Sequence, residues 1–176
     1  MAAYLQTATP MHTSAARLGW LVLVVAVLVI VTALAFEHLG GYPPCPLCLQ
    51  ERWAYYAGIP ALAVALLLLS SGHNGWAALV FAAVGLAFLA NTGLGIYHAG
   101  AEWEFWPGPS TCAGAQPLST GAGNLLNDLA KTNVIRCDRA PWVFLGLSFA
   151  GWNAVLSLLL AAGAALAAAW ARPGRS

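Results

Sequence analysis

Charged residues are scarce in this sequence, which has seven lysines and arginines and six aspartates and glutamates among 176 residues. A soluble domain carries about 25% charged residues, whereas this chain has 7% and is 60% hydrophobic. So few charges cannot cover the surface of a water-soluble globule of this size. The sequence also lacks a basic block that would neutralise phosphates, and its net charge of +1 argues against a nucleic-acid-binding protein. We therefore expect a small integral membrane protein.

The stretches between the charges are long enough to cross a membrane. Residues 18–36 carry no charge, and at ~1.5 Å per residue these 19 residues just span a hydrocarbon core of ~30 Å. Residues 53–101 are also uncharged and too long for one crossing, and turn-forming residues divide them at 70–75. A fourth uncharged stretch covers residues 140–171. The pattern predicts an all-α bundle of four transmembrane helices, at about 18–36, 52–69, 76–97 and 152–170.

The predicted crossings also divide the loops between two sides of the membrane. The predicted loops at about 37–51 and 98–150 lie on one side. The second loop is long, and after Pro141 we expect it to run along the membrane interface towards the fourth helix. The side with both termini has three arginines and no acidic residue. Because basic residues near membrane ends favour the cytoplasm, we expect cytoplasmic termini in a single membrane domain, residues 1–176. A cleavable signal peptide is the alternative for the first stretch, but that stretch exceeds a typical h-region of ~7–15 residues and no small-x-small site follows.

The last predicted helix is rich in small residues, with the run Ala-Ala-Gly-Ala-Ala at 161–165. Small side chains let the backbones of neighbouring helices approach closely in a membrane. A lipid-facing helix made of ordinary alanine is the alternative. The sequence alone leaves both open.

All four cysteines fall in the two loops that share the predicted non-cytosolic side. Cys45 and Cys48 lie in the first loop, and Cys112 and Cys137 lie in the long loop. Disulfides persist outside the cytosol, so the positions of the cysteines agree with the orientation inferred from charge.

The first pair is a C-x-x-C motif at a predicted helix start, because Pro46 suits the first helical position. Cys48 then lies in the first turn, where the positive helix end stabilises a thiolate. Arg52, four residues further on the same face, adds a full positive charge. A static disulfide or half of a zinc site is the alternative, but we expect redox chemistry at this pair.

The second pair, Cys112 and Cys137, brackets 24 residues rich in Gly, Ala, Ser and Asn. A disulfide between them would simply stabilise the loop by a few kcal/mol. Because both pairs lie on one side, thiol–disulfide exchange between them is the interpretation we favour. A zinc site would need a second close pair, which this spacing does not provide, so we expect no metal.

Two more titratable residues lie at the same predicted membrane edge. Glu51 and Arg52 are charges at the very end of a helix, where ionisable groups are often functional. An interfacial anchor that extends towards water is the alternative for Arg52. His98 closes the third predicted helix at this level and can exchange protons near neutral pH, although a plain interfacial histidine would look the same.

Three blocks of the sequence resemble the DsbB family of bacterial inner-membrane disulfide bond formation proteins. The first is Cys45-Pro46-Leu47-Cys48-Leu49-Gln50-Glu51-Arg52, with a cysteine pair and an arginine at fixed spacing. The second joins Tyr97-His98-Ala99-Gly100 to residues 106–112, and the third joins Cys137 to residues 142–148. The blocks follow in the family's order, and the resemblance covers roughly residues 18–171.

This resemblance implies a thiol:quinone oxidoreductase that sustains protein disulfide bond formation. Its partner would be a DsbA-like periplasmic thioredoxin-fold protein, and its electron acceptor a membrane quinone, ubiquinone or menaquinone. Cys112 would form the mixed disulfide with this partner, and Cys137 would be its companion in a loop disulfide. Cys45 would exchange with the loop pair, and Cys48 would face the quinone as a thiolate.

The resemblance also implies roles for three residues around the quinone. Arg52 would stabilise charge on a quinone oxygen, His98 would assist proton delivery, and Glu51 would orient Arg52. A vitamin K epoxide reductase-like protein is a rival, but there the C-x-x-C pair comes late in the chain. A non-enzymatic membrane subunit stapled by two disulfides is the rival from another class.

Overall fold

The computed structural model of the protein describes residues 10–109 and 137–172. Its four long helices are each long and apolar enough to cross a membrane, which confirms the predicted all-helical membrane fold. The helices are α1, Pro10–His38; α2, Pro46–Ser70; α3, Asn74–Glu102; and α4, Phe149–Ala171. Most of the predicted long loop between α3 and α4, residues 110–136, lies outside the described residues.

Each of the four helices is longer than the span predicted for it. α2 begins at Pro46, which takes the first helical position as predicted while Cys45 caps the end, so the helix starts before the span predicted from about residue 52. α3 continues from Tyr97 to Glu102, since no helix-breaking proline interrupts it there. Charges mark where the apolar environment ends, whereas backbone hydrogen bonding continues into the interface. The cysteine pair is therefore attached to a helix and not to a free loop.

The four helices form a bundle in which each packs on two main neighbours. α3 packs against α2 and α4, and α1 packs against the same two helices from the other side. Close approach of α3 and α4 depends on small residues. A Cβ added to Gly95 would lie 3.0 Å from the backbone nitrogen of Ala154, and one added to Gly85 would lie 3.3 Å from the carbonyl oxygen of Ala161. Of the two interpretations of the alanine-rich helix, the structure supports close helix packing.

Hydrogen bonds between side chains also join the helices within the bundle. The Tyr55 hydroxyl on α2 donates to Asn153 Oδ1 on α4 over 2.9 Å. Asn91 Nδ2 on α3 donates to Ser157 Oγ on α4, also over 2.9 Å. Such bonds contribute about 0.6–2 kcal/mol each in membranes. They fix the rotation of α2, α3 and α4 relative to one another.

A short hairpin precedes α4 where an approach along the interface was expected. Its strands are β1, Val143–Phe144, and β2, Leu147–Ser148, paired antiparallel. Leu145 and Gly146 form the turn with φ of 51° and 80°, as a two-residue hairpin turn requires. Trp142, just before β1, stacks on Phe149 with ring centroids 5.1 Å apart. The hairpin thus holds an aromatic cluster over the start of α4.

Candidate active site

Cys45 and Cys48 lie at the start of α2, where Cys45 caps the helix. Cys45 is the N-cap residue in an extended conformation, and its sulfur accepts a hydrogen bond from the backbone N–H of Cys48 over 3.2 Å. The two thiols also share a hydrogen bond, with 2.9 Å between their Sγ atoms. Both are free thiols. Only a short movement separates them from the ~2.05 Å of a disulfide bond.

The stabilised sulfur in this arrangement is that of Cys45. Hydrogen bonding with the Cys48 side chain holds the pKa of the Cys45 thiol below its usual range, against the opposing effect of burial, and the Cys48 backbone N–H adds to this. The thiolate that the helix end was expected to favour at Cys48 is therefore favoured at Cys45. The reason is that an N-cap side chain reaches the free N–H groups of the first turn.

His98 reaches this thiol pair from α3 and is almost fully buried, with 2% of its surface exposed. Its Nε2 lies 3.5 Å from the Cys45 sulfur, and its Nδ1 lies 2.9 Å from Glu51 Oε1. A second carboxylate, Glu102 Oε1, lies 4.0 Å from Nε2. Sequence reasoning missed Glu102, although its position four residues after His98 on one helix predicts that the two are neighbours.

Arg52 pairs with a residue that the sequence did not indicate. Its guanidinium donates to the carboxylate of Glu37, at the end of α1. Glu51 was expected to orient Arg52, but it faces His98 instead. Successive side chains on a helix point about 100° apart, so Glu51 faces α3 while Arg52 faces α1.

A cavity of about 480 Å³ lies beside the thiol pair. Cys48, Glu51 and Arg52 are on its wall, and Cys45 is not among the residues that line it. Most of the wall is apolar or aromatic and comes from α1, α4 and the hairpin. It includes Val25, Leu28, Val29, Phe36, Trp142, Phe144, Phe149 and Leu156. An apolar space with a few polar groups at one end is typical of a small-molecule site.

Of the remaining two cysteines, the structure describes Cys137. Cys137 is buried and disulfide-bonded, and it belongs to the same buried cluster as Cys45 and Leu47. Cys112 lies outside the described residues. The structure therefore brings three of the four predicted redox cysteines to one end of the bundle.

The two sulfur atoms of Cys45 and Cys48 and a ring nitrogen of His98 lie within 4.8 Å of one another, close enough to bind one metal ion. The hydrogen bonds within the cluster account for this closeness. We assign no metal to it.

Sequence comparison relates this chain to known proteins. The family model described as disulfide bond formation protein DsbB matches residues 15–167. Disulfide bond formation protein B of Aromatoleum aromaticum is 32% identical over 154 residues, which cover 80% of this chain and 84% of that protein. The protein of the same name from Vibrio cholerae is 30% identical over 152 residues, 81% of this chain and 82% of that protein. No solved structure is significantly similar to this chain. The chain belongs to the DsbB family of disulfide bond formation proteins.

Proposed function

We propose that the protein is a thiol:quinone oxidoreductase of the bacterial inner membrane. It reoxidises a DsbA-like thioredoxin-fold protein in the periplasm and passes the electrons to ubiquinone or menaquinone. The observation that supports this activity best is the presence of Cys48 and Arg52 together on the wall of an apolar cavity, with the Cys45 sulfur 2.9 Å from that of Cys48. A disulfide that merely staples a loop needs neither an arginine nor a cavity beside it.

The cavity suits a quinone head group in size and chemistry. Its volume of about 480 Å³ lies within the ~300–1,000 Å³ of typical small-molecule sites. Aromatic side chains on the wall can pack against a planar ring, and the Arg52 guanidinium can donate to a carbonyl oxygen. Glu37 holds that guanidinium in place from α1. A quinone bound there supplies a two-electron oxidant beside Cys48.

The electrons and protons of the oxidation balance within this site. The Cys45 and Cys48 thiols lose two electrons and two protons as the bond between their sulfurs forms. A quinone held in the cavity would accept these two electrons and two protons, and the product would be a hydroquinone. No other oxidant is needed.

Thiol–disulfide exchange then passes the oxidising equivalent outwards. The partner's thiolate attacks Cys112 of a Cys112–Cys137 disulfide, and Cys137 leaves. The Cys137 thiolate attacks Cys45 of the new Cys45–Cys48 disulfide, and Cys48 leaves. The second thiolate of the partner attacks the partner's own sulfur in the mixed disulfide and releases Cys112, and the Cys112 thiolate attacks Cys137 and releases Cys45. The partner is then oxidised, the loop disulfide is restored and Cys45 and Cys48 are thiols again. The shared burial of Cys137 and Cys45 in one cluster supports this route.

Quinone reduction by the purified protein tests the proposal. The protein in detergent receives the reduced thioredoxin-fold partner and either ubiquinone or menaquinone, and the quinone absorbance is followed. We expect stoichiometric reduction by the wild type and none by Cys48→Ser. An equal absorbance change in both proteins would contradict the proposed activity, provided that circular dichroism shows Cys48→Ser to be folded.

A further inference from the structure

The two thiols of the redox pair face different surroundings. Cys48 lies on the cavity wall, so its proton is released directly beside a bound quinone. Cys45 does not line the cavity, and 4% of its surface is exposed. Its sulfur faces His98 on α3 instead. The oxidation of the pair releases one proton from each thiol, so the proton of Cys45 needs a separate route.

A hydrogen-bonded chain leads from Cys45 back to the cavity. His98 Nε2 lies 3.5 Å from the Cys45 sulfur, and Nδ1 on the other side of the ring lies 2.9 Å from Glu51 Oε1. Glu51 also lines the cavity. An imidazole can accept a proton at one nitrogen while it releases another from the second nitrogen. The chain therefore joins the thiol outside the cavity to a carboxylate on its wall.

We propose that His98 and Glu51 carry the proton of Cys45 to the quinone cavity, which deepens the proposed function and rests on it. As the Cys45 sulfur bonds to the Cys48 sulfur, the Cys45 S–H bond breaks and His98 Nε2 takes the proton. Nδ1 releases its proton to Glu51 Oε1, and Glu51 delivers it to the oxygen of the ligand in the cavity. The Cys48 proton reaches the cavity directly. Electrons thus leave through Cys48, while half of the protons travel through His98 and Glu51.

The burial of Glu51 supports a role in proton transfer. Only 6% of its surface is exposed, and an ionisable group inside a spanning helix is costly and commonly functional. Glu102 provides a matched comparison, since it is a second buried carboxyl group near His98. It accepts a hydrogen bond from the Ser148 hydroxyl, and it does not line the cavity. A carboxylate that only holds His98 in place could be either Glu51 or Glu102. A carboxylate that passes a proton to the cavity must be Glu51, because it is the one of the two that lines the cavity.

Single-turnover oxidation of the reduced protein by a quinone separates these roles. We expect Glu51→Gln, which keeps the size of the side chain, to slow the reaction about 100-fold, the lower end of the ~10²–10⁴-fold range of general acid–base catalysis. Its solvent deuterium isotope effect should exceed that of the wild type. Glu51→Asp should recover part of the rate, and Glu102→Gln should slow the reaction much less than Glu51→Gln does. Equal rates and isotope effects for Glu51→Gln and Glu102→Gln would overturn the proposal.

A second measurement requires no quinone. The ultraviolet absorbance of the thiolate, followed against pH in a Cys48→Ser background, reports the ionisation of Cys45. The titratable groups that face His98 among the described residues are Cys45, Cys48, Glu51 and Glu102. Loss of the proton acceptor in His98→Asn should raise the midpoint pH. Glu51→Gln should change it less, because it weakens the protonated imidazole but also removes a carboxylate charge that raises the pKa of the Cys45 thiol.

The two measurements fail in distinguishable ways. An unchanged midpoint in His98→Asn would overturn the proton route, whatever the quinone assay shows. A wild type that reduces no quinone would instead contradict the proposed function.

Discussion

Arg52 reaches the cavity wall from α2 while Glu37 of α1 holds its guanidinium. A charge-assisted hydrogen bond to a ligand is worth about 1.5–3 kcal/mol, and each 1.4 kcal/mol is about tenfold in affinity. We therefore expect Arg52→Gln to raise KM for the quinone by about 10–100-fold. Steady-state kinetics with varied quinone concentration measure this effect. KM for the reduced partner should stay near the wild-type value, because exchange takes place at other residues.

Arg17→Gln provides the control for this prediction. Arg17 is exposed on α1 near the opposite end of the bundle, so its loss removes the same charge at a distance from the cavity. A similar increase of KM in both variants would mean that net charge, and not a contact in the cavity, explains the effect. An unchanged KM in Arg52→Gln would remove Arg52 from the quinone site.

Spacing along a single helix was sufficient to predict some of the site's residues but not their partners. Pro46 and the four-residue interval from Cys48 to Arg52 predicted a helix start with both side chains on one face, and both line the cavity. Glu37 lies at the end of α1 and Arg52 in α2, and only the packing of the bundle brings them together. The same holds for Glu51 and His98. Contacts between helices depend on helix rotation, which a composition pattern does not determine.

At the level of helices, the close packing of α3 and α4 depends on glycine at particular positions. A Cβ at Gly95 would lie 3.0–3.1 Å from the backbone of Ala154, whereas one at Gly93 would meet nothing within 4 Å. We expect Gly95→Ala to lower the stability of the protein by about 1–3 kcal/mol, because overpacking forces the helices apart. Gly93→Ala should be neutral or stabilising by up to ~1 kcal/mol, since alanine favours a helix more than glycine does.

Thermal unfolding of both variants in the same detergent, followed by circular dichroism, tests this contrast. The two substitutions add the same methyl group two residues apart on one helix, so differences in helix propensity largely cancel. Equal midpoints for the two variants would mean that α3 and α4 do not pack as closely at Gly95 as the structure indicates.

The number of helices and the start of α2 could be predicted from the sequence, whereas the hairpin and the other helix ends could not. Uncharged stretches reveal a membrane crossing because the hydrocarbon core excludes charge over ~30 Å. Strands of two residues are too short to produce a periodic pattern. Leu145-Gly146 was the available signal for the hairpin, since glycine readily adopts the positive φ of such a turn. The hairpin matters because Phe144 and the adjoining Trp142 line the cavity.

For the molecule as a whole, successive helices run in opposite directions, and this places the site at one end of the bundle. The end of α1, the start of α2, the end of α3 and the start of α4 meet there, with Glu37, Cys45 and Glu102 among their residues. The turn between α2 and α3, around Gly72, lies at the other end. The orientation of this bundle in the membrane decides whether the thiols meet oxidising or reducing surroundings.

We predict that the end with the thiols faces the periplasm, because the arginines near the termini favour the cytoplasm. Single cysteines at Leu39 and Ser71 test this in a background with the native cysteines replaced by serine. Leu39 is 88% exposed beside the site and Ser71 is exposed in the opposite turn. A membrane-impermeant thiol reagent should label Leu39→Cys in intact spheroplasts and Ser71→Cys only after lysis. The reverse pattern would place the thiol pair in the cytosol, where glutathione and thioredoxin keep thiols reduced, and exchange with a periplasmic partner would then be impossible.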